Sequence, residues 1–388
     1  MLDTRYAPET LIKSRFHRML GDRRAATPNE RMILSQILRR PDLPRAALSR
    51  TFNISQQSVH RIIQRLDDRG ILTLGALAPP THKGKPSPRL SLNPRHACAI
   101  GLSINTDSAG ITLVDFAGTM TTRSLGIEGQ SMARTLAQID EVIHDLLQAT
   151  GFSRSDIFGI GFAISGFVIE GTRYSAPKPL KEWSMPQLGP TLAQHFRLPV
   201  WTENGANTGA LYESMFGLGQ RYANFAYLSF NYGFGGGIIV DGNLMRGGFG
   251  NAGELSGMFT MAEMKHRPGL RSLLEELRRN DVDITSIHEL AARFDPDWPG
   301  VTAWLDRVTE ATCRVVNVLG AVVDPEVIVF GGQIPPPLAD MLIARAQFYR
   351  TVGRYGIIRR QPEMLVSQMG GETAAMGAAM LPFKACYF

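Results

Sequence analysis

Apolar residues in the first quarter of the chain recur at helical spacing in three short blocks, and a hairpin-like stretch follows them. Between Asn29 and Arg39, Met32, Ile33, Ile37 and Leu38 share one face, and Pro41 and Pro44 end that helix. A second short helix carries Ala46, Ala47, Leu48 and Phe52 and stops at Asn53, a residue that tolerates turn geometry. Ser55 then caps a third helix, QQSVHRIIQRLDDR, which ends at Gly70. Its apolar stripe is Val59, Ile62, Ile63 and Leu66, and the other faces carry Gln56, Gln57, Ser58, His60, Arg61 and Arg65. The stretch ILTLGALAPPTHKGKPSPRLSLN reads as a β-hairpin with Lys83 and Lys85 at its tip and Arg89 on the returning strand.

From Ala97 the pattern changes to alternating strands and helices. ACAIGLSI and AGITLVDFAG precede the helical MARTLAQIDEVIHDLLQAT and the strand FGIGFAIS. A second block runs through AYLSFN, the glycine-rich FGGGIIVDG, helices after Pro268, the strand EVIVFGG and a closing helix from Thr373. This order predicts an α/β region of two lobes with a cleft between them.

Charge sharpens the reading of the first blocks. Residues 1–95 hold 18 Lys and Arg against 7 Asp and Glu, a net +11, whereas the rest of the chain is net −5. Three amphipathic helices alone are equally a small bundle with a solvated polar face. Their occurrence with a capped polar helix, a basic hairpin and this charge excess favours a winged helix-turn-helix that binds duplex DNA. Glutamine pairs with adenine and arginine with guanine in the major groove, and residues near the start of a recognition helix meet base edges. Lys83, Lys85 and Arg89 suit phosphate contacts made by a wing. A single such helix reads few base pairs, so a homodimer or dimer of dimers on inverted half-sites is expected.

The three cysteines, Cys98, Cys313 and Cys386, lie far apart, which argues against a disulfide framework or a cysteine zinc cluster and for a reducing compartment. No segment approaches the length of a membrane span, and the first residues lack the apolar centre of a signal peptide, so a cytoplasmic location is expected.

Five ordered motifs, AIGLSINTDSAGITLVDFAG, NYGFGGGIIVDGNLMRG, NAGELSG, VVNVLGAVVDPEVIVFGG and ETAAMGAAM, resemble the ROK family (repressor, open reading frame, kinase) over about residues 97–383. Residues 29–95 are similar to the DNA-binding half of its repressors. The resemblance implies an α/β architecture in which the winged helix-turn-helix precedes a two-lobed, actin-like (ribonuclease H-like) ATPase fold. The corresponding divisions are an N-terminal arm over 1–28, a DNA-binding domain over 29–95, a first lobe over 96–204, and a second lobe over 205–388 whose C-terminal helix returns to the first.

Departures from the family pattern bear on activity. Family kinases carry D-x-G-G-T in the first hairpin, and here those positions read Ser103, Ile104, Asn105, Thr106 and Asp107. The family's E-N-D-A-N, whose Asp is the general base, reads Glu203, Asn204, Gly205, Ala206 and Asn207. Loss of a positioned base costs roughly 10²- to 10⁴-fold in rate, and Asp107 adds negative charge where phosphates would sit. Gly253–Gly257 lacks the family's metal-binding histidine, and no cysteine cluster follows, so neither zinc nor any other cofactor is expected.

What remains of the family's sugar site is Gly166, Asn204 and Glu254. Lys178, in SAPKPLKEW, stands where the family has an asparagine that contacts sugar hydroxyls, and an ammonium suits an anionic sugar derivative. Each has a plain structural alternative: a helix cap for Asn204, a loop anchor for Glu254, and a solvated side chain for Lys178. The expectation is a non-enzymatic, sugar-responsive transcriptional regulator, most simply a repressor. The alternatives are an active sugar kinase with a DNA-binding head and a ligand-independent scaffold.

Overall fold

The computed structural model of the protein describes residues 25–52, 54–78, 87–349 and 354–388. The head opens with α1 (Pro28–Arg39), started by a capping box in which Glu30 accepts from the Thr27 amide at 2.8 Å and Thr27 accepts from the Glu30 amide. After the two-residue strand β1 (Leu43–Pro44) come α2 (Arg45–Phe52) and α3 (Gln56–Asp68), and Ser55 caps α3 by accepting from the Ser58 amide at 3.1 Å. Ile33, Leu34 and Ile37 of α1, Leu48 of α2, and Val59, Ile62, Ile63 and Leu66 of α3 are buried together. The wing strands β2 (Leu72–Ala78) and β3 (Ser87–Leu92) pair antiparallel, and β1 adds to the free edge of β3. Pro44 is tolerated in such an edge strand, where no ladder donor is needed on its outer side. Asn53, Lys83 and Lys85 lie outside the described residues.

The first lobe consists of β4 (Cys98–Ile104), β5 (Ser108–Asp115), β6 (Met120–Gly126), α4 (Met132–Thr150), β7 (Ile157–Ile164), the small hairpin β8 (Phe167–Glu170) and β9 (Arg173–Ser175), α5 (Leu188–Phe196) and β10 (Val200–Asn204). Its sheet has the order β10-β7-β4-β5-β6, with β4, β7 and β10 parallel and β4, β5 and β6 an antiparallel meander. Every residue of β4 and β7 is buried, as parallel strands covered on both faces require.

The second lobe repeats this layout. It contains α6 (Gly205–Phe216), β11 (Phe225–Phe230), β12 (Phe234–Val240), β13 (Asn243–Leu244), α7 (Leu270–Arg279), α8 (Ile287–Arg293), α9 (Val301–Val322), β14 (Val327–Gly332), α10 (Pro336–Arg345) and β15 (Glu363–Val366). Its sheet order is β13-β12-β11-β14-β15, again a meander joined to parallel strands. No helix among the described residues is long and apolar enough to cross a membrane.

The last helix, α11 (Thr373–Cys386), links these parts. A Cβ on Gly101 of β4 would stand 2.0 Å from the Ala375 carbonyl oxygen, and one on Gly161 of β7 would stand 1.7 Å from that of Ala378. Glycine at both positions therefore lets the α11 backbone lie directly on the first sheet. The helix then enters the core of the head. Phe383, Tyr387 and Phe388 pack around Phe116 at ring-centroid distances of 5.0–5.5 Å, and this cluster is continuous with Ile33, Leu34 and Ile37 of α1. Each such ring pair contributes about 0.5–1.5 kcal/mol beyond its burial. The head is thus built onto the first lobe through shared hydrophobic core.

Candidate DNA-binding face and effector cleft

The apolar stripe of α3 faces α1 and α2, which leaves Gln56, Gln57, Ser58, His60, Arg61 and Arg65 exposed. Three of these six already have partners. The Ser58 hydroxyl accepts from that of Ser55 at 2.9 Å, and His60 Nδ1 lies 3.0 Å from the Arg45 guanidinium. Arg65 leans back toward α1, 4.0 Å from the buried carboxylate of Glu30, which Arg69 also approaches at 3.7 Å. Gln56, Gln57 and Arg61 have no such ties among the described residues. Arg89 is exposed on β3 and donates to the Asp42 carbonyl at 3.3 Å, which holds the wing against the turn before β1.

Gly166, Asn204 and Glu254 come together where the lobes meet. Asn204 ends β10 and caps α6, its Oδ1 accepting from the amides of Ala206 at 2.7 Å and Asn207 at 3.4 Å. Its Nδ2 donates to the Gly166 carbonyl at 2.8 Å and to Glu254 Oε1 at 3.1 Å. Gly166 has φ +126°, and a Cβ there would run into the Ser175 carbonyl at 2.3 Å. Asn204 is therefore a saturated connector between lobes, whereas Glu254 Oε2 has no hydrogen-bond partner among the described residues. Burial pushes the Glu254 carboxyl above its ordinary range, and the nearby Arg267 partly opposes this.

Neighbouring residues reinforce the seam. Glu203 is buried and accepts from Arg246 Nε at 2.9 Å and Asn207 Nδ2 at 3.0 Å. Asn251 pairs with both backbone groups of Val168, accepting at 2.7 Å and donating at 2.8 Å, and so ties the second-lobe loop to β8 as a strand would. Lys178 lies apart from this group. It is exposed at the start of a 3-10 turn, Lys178–Trp183, and nothing among the described residues joins it to Asn204 or Glu254.

The first hairpin carries a carboxylate brought from the far end of the chain. Glu372, just before α11, has Oε2 3.4 Å from the Ser103 hydroxyl and Oε1 3.2 Å from that of Ser124. Burial raises its pKa, the two serines and His288 oppose the rise, and Asp107 adds to it. Asp107 itself reaches the second lobe, where its Oδ2 lies 3.5 Å from the Ile287 amide at the start of α8. Two carboxyl groups thus stand beside the hairpin. Among the described residues no three His, Cys, Asp or Glu side chains are grouped to hold a metal ion.

Comparison with known proteins fits this architecture. Residues 99–269 match the ROK family, and residues 27–82 match the MarR family of helix-turn-helix proteins. The chain thus carries a ROK family domain behind a MarR-type helix-turn-helix. It is 25% identical over 364 residues to an uncharacterised protein of Sinorhizobium fredii, covering 93% of the one chain and 92% of the other. It is also 25% identical over 232 residues to the xylose repressor of Bacillus subtilis, and that match spans 59% of this chain and 60% of the repressor. The crystal structure of a ROK family transcriptional regulator, a homologue of the E. coli Mlc protein, superimposes with a TM-score of 0.64 at 18% identity, covering 92% of this chain and 96% of that one, a likeness of fold.

Several residues of this site carry little signal in the sequence. Glu372 heads the recognisable ETAAMGAAM motif, but nothing local indicates that it reaches Ser103, 269 positions earlier. Asn251 has a weak signal, as the polar residue of a glycine-rich loop. Arg31 has none, although it proves to join the head to the end of the chain.

Proposed function

We propose that the protein is a sugar-responsive transcriptional repressor that binds operator DNA as a homodimer in the cytoplasm and does not transfer phosphate. The observation that carries this reading is the coexistence of an exposed Gln57–Arg61 face on a capped recognition helix with an inter-lobe carboxylate, Glu254, that keeps one oxygen free. A carboxylate oxygen accepts from sugar hydroxyls, and binding requires no base or phosphate site. The xylose repressors among its relatives support a sugar as effector. Lys178 is the side chain that would favour an anionic derivative over a neutral sugar.

Absence of phosphoryl transfer rests on two features of the site. Gly205 provides no proton acceptor, and Glu372 and Asp107 place carboxyl groups beside the hairpin where a kinase must hold phosphates. The route from ligand to DNA also has a physical form. Asn204 caps α6, and α6 meets α11 so closely that a Cβ on Gly377 would stand 1.8 Å from the Thr208 carbonyl. From there α11 runs on into the head. A ligand that changes how the lobes sit at Asn204 can therefore move α3, by as much as its affinities for the two arrangements differ.

The test is selection of duplexes from a random library by the full chain, followed by competition with a panel of neutral, phosphorylated and oxidised sugars. Enrichment of an inverted repeat that one sugar releases supports the proposal. Failure to enrich any sequence rejects it, and an anion preference that survives Lys178→Ala removes that residue from the account.

A further inference from the structure

A cavity of about 310 Å³ opens at the joint between the head and the first lobe, away from the inter-lobe cleft. It lies between the 3-10 turn Pro94–His96, which leads from the wing into β4, and the turn that joins β5 to β6. Leu113 of β5 and Phe152, just beyond α4, supply its apolar surface. Small-molecule sites have volumes of about 300–1,000 Å³, so this one suits a small metabolite.

Both walls belong to segments that touch the head. On one side Asn93 donates from Nδ2 to the Gly70 carbonyl at 2.8 Å, just past the recognition helix, and accepts from the Arg95 amide at 3.0 Å. Arg95 reaches the lobe, its Nη1 donating to the Thr150 and Gly151 carbonyls at 3.1 Å each and its guanidinium lying 4.6 Å from the centre of the Phe152 ring. On the other side Asp115 Oδ1 accepts from the amides of Ala117 and Thr119, both at 2.9 Å. These bonds shape a turn in which a Cβ on Gly118 would stand 3.2 Å from Leu38 of α1.

The walls carry one charge of each sign. Asp115 and Arg95 are the ionisable residues that line the cavity, and they do not pair with each other among the described residues. Asp115 Oδ2, and Nε and Nη2 of Arg95, have no hydrogen-bond partner there either. The bonds that both side chains do make hold them in place, which lowers the ordering cost of a ligand contact. Thr119 and Thr121 add hydroxyls that both donate and accept.

We propose that this cavity is a second ligand site, for a small zwitterion of the α-amino-acid type, with its ammonium on Asp115 and its carboxylate on Arg95. Each contact is a charge-assisted hydrogen bond. An anion or a cation alone matches half of the site, and a neutral polyol matches neither charge. A ligand that spans the two walls braces the connector against the β5–β6 turn, and with it the end of α3 and the seat of α1. It biases the position of the head by the difference in its affinity for the arrangements available. The site is distinct from the Asn204–Glu254 cleft and does not depend on which sugar binds there.

The experiment is thermal unfolding of the full chain with each proteinogenic amino acid at millimolar concentration, followed by calorimetry with the one that raises Tm most. One molecule per chain is expected. Its methyl ester and its N-acetyl derivative, which each lack one of the two charges, should bind about tenfold more weakly, the effect of losing one charge-assisted hydrogen bond. Asp115→Asn, which keeps an oxygen for the two turn amides, and Arg95→Gln should each weaken binding by a similar factor. Thr121→Leu narrows the cavity with both charges in place and should also weaken it, which keeps the test decisive if Arg95→Gln loosens the joint. Glu254→Gln should leave this binding unchanged, so the two sites are tested separately. The proposal is overturned if no amino acid raises Tm, if the ester and the acetyl derivative bind as well as the parent, or if affinity survives both Asp115→Asn and Arg95→Gln. Loss of binding in Glu254→Gln alone would also overturn it, by placing the amino acid in the inter-lobe cleft.

Discussion

The guanidinium of Arg31, in the first helix of the head, holds the carbonyl oxygen of Phe388 at 2.7 Å, joining residues 357 positions apart. The same side chain also takes the Lys384 carbonyl, so orphan acceptors at the end of α11 are satisfied by a cation, which the helix dipole also favours there. A second tie lies beside it, the Ala26 amide donating to the Cys386 carbonyl at 2.8 Å.

Arg31→Ala should loosen the head from α11 while leaving both lobes intact. Hydrogen bonds to charged groups are worth about 1.5–3 kcal/mol, and relief of repulsion on Lys384 should return part of that. Hydrogen exchange is the natural probe. Amides of α1 and α3 should exchange faster in the variant and those of β4 and β7 at the wild-type rate; uniform acceleration would mean that Arg31 supports the whole fold and not the junction.

On the recognition helix, Gln57→Ala and Arg61→Ala should each cost about 1–3 kcal/mol of operator affinity with little effect on nonspecific DNA. Arg65→Ala should cost less, because that side chain leans toward Glu30. Lys83→Ala and Lys85→Ala should weaken specific and nonspecific binding alike and lower the salt slope. Anisotropy titrations at several salt concentrations separate these cases, and an unchanged ratio of specific to nonspecific affinity in Arg61→Ala would assign the reading face elsewhere.

Glu372 has a folded pKa raised above its ordinary 4.5, so it binds its proton more tightly folded than unfolded. The stability it contributes is present in full below the unfolded value and is lost as pH rises through the folded value. Glu372→Gln should therefore unfold at a higher temperature than wild type at neutral pH, and the two curves should converge as pH falls below about 4.5. A variant less stable than wild type at pH 7 would show that the serine hydrogen bonds outweigh the burial of charge.

Kinase activity should be absent and should not return when the missing base is restored. A Cβ on Gly205 has no neighbour nearer than 3.9 Å, so Gly205→Asp can be accommodated, yet Glu372 and Asp107 would still oppose a bound nucleotide. ADP release from ATP with a panel of hexoses should stay at the level of heat-killed protein in both chains. Turnover by Gly205→Asp would mean that the phosphate site is functional.

Much of this organisation is legible in local pattern. The helical spacing of Ile33, Ile37, Val59, Ile62 and Leu66 locates the head, and the unbroken apolar runs of β4 and β7 locate a covered sheet, because each periodicity is written within one element. What was illegible is written across the chain. The strand Leu43–Pro44 carries no strand pattern and exists only because β3 offers it an edge. Arg31 reads as one more cation in a basic region, Glu372 as a polar residue before a helix, and the matching layouts of the two sheets leave no repeat in the sequence. Asn204 is open to two readings in the sequence, helix cap and ligand contact; its side chain caps α6 and ties the lobes through Glu254, a tie to a residue 50 positions on that no local pattern announces.

The central claim is that the site at Glu254 and the face at Arg61 are thermodynamically coupled, and coupling of that kind is reciprocal. The direct measurement is the affinity of the full chain for its releasing sugar, by calorimetry, with and without saturating operator duplex, set beside its operator affinity with and without saturating sugar. The account predicts that both affinities fall by the same factor, and that Glu254→Gln abolishes the sugar response while retaining operator binding. A sugar that binds equally well to the free and the operator-bound protein would contradict it.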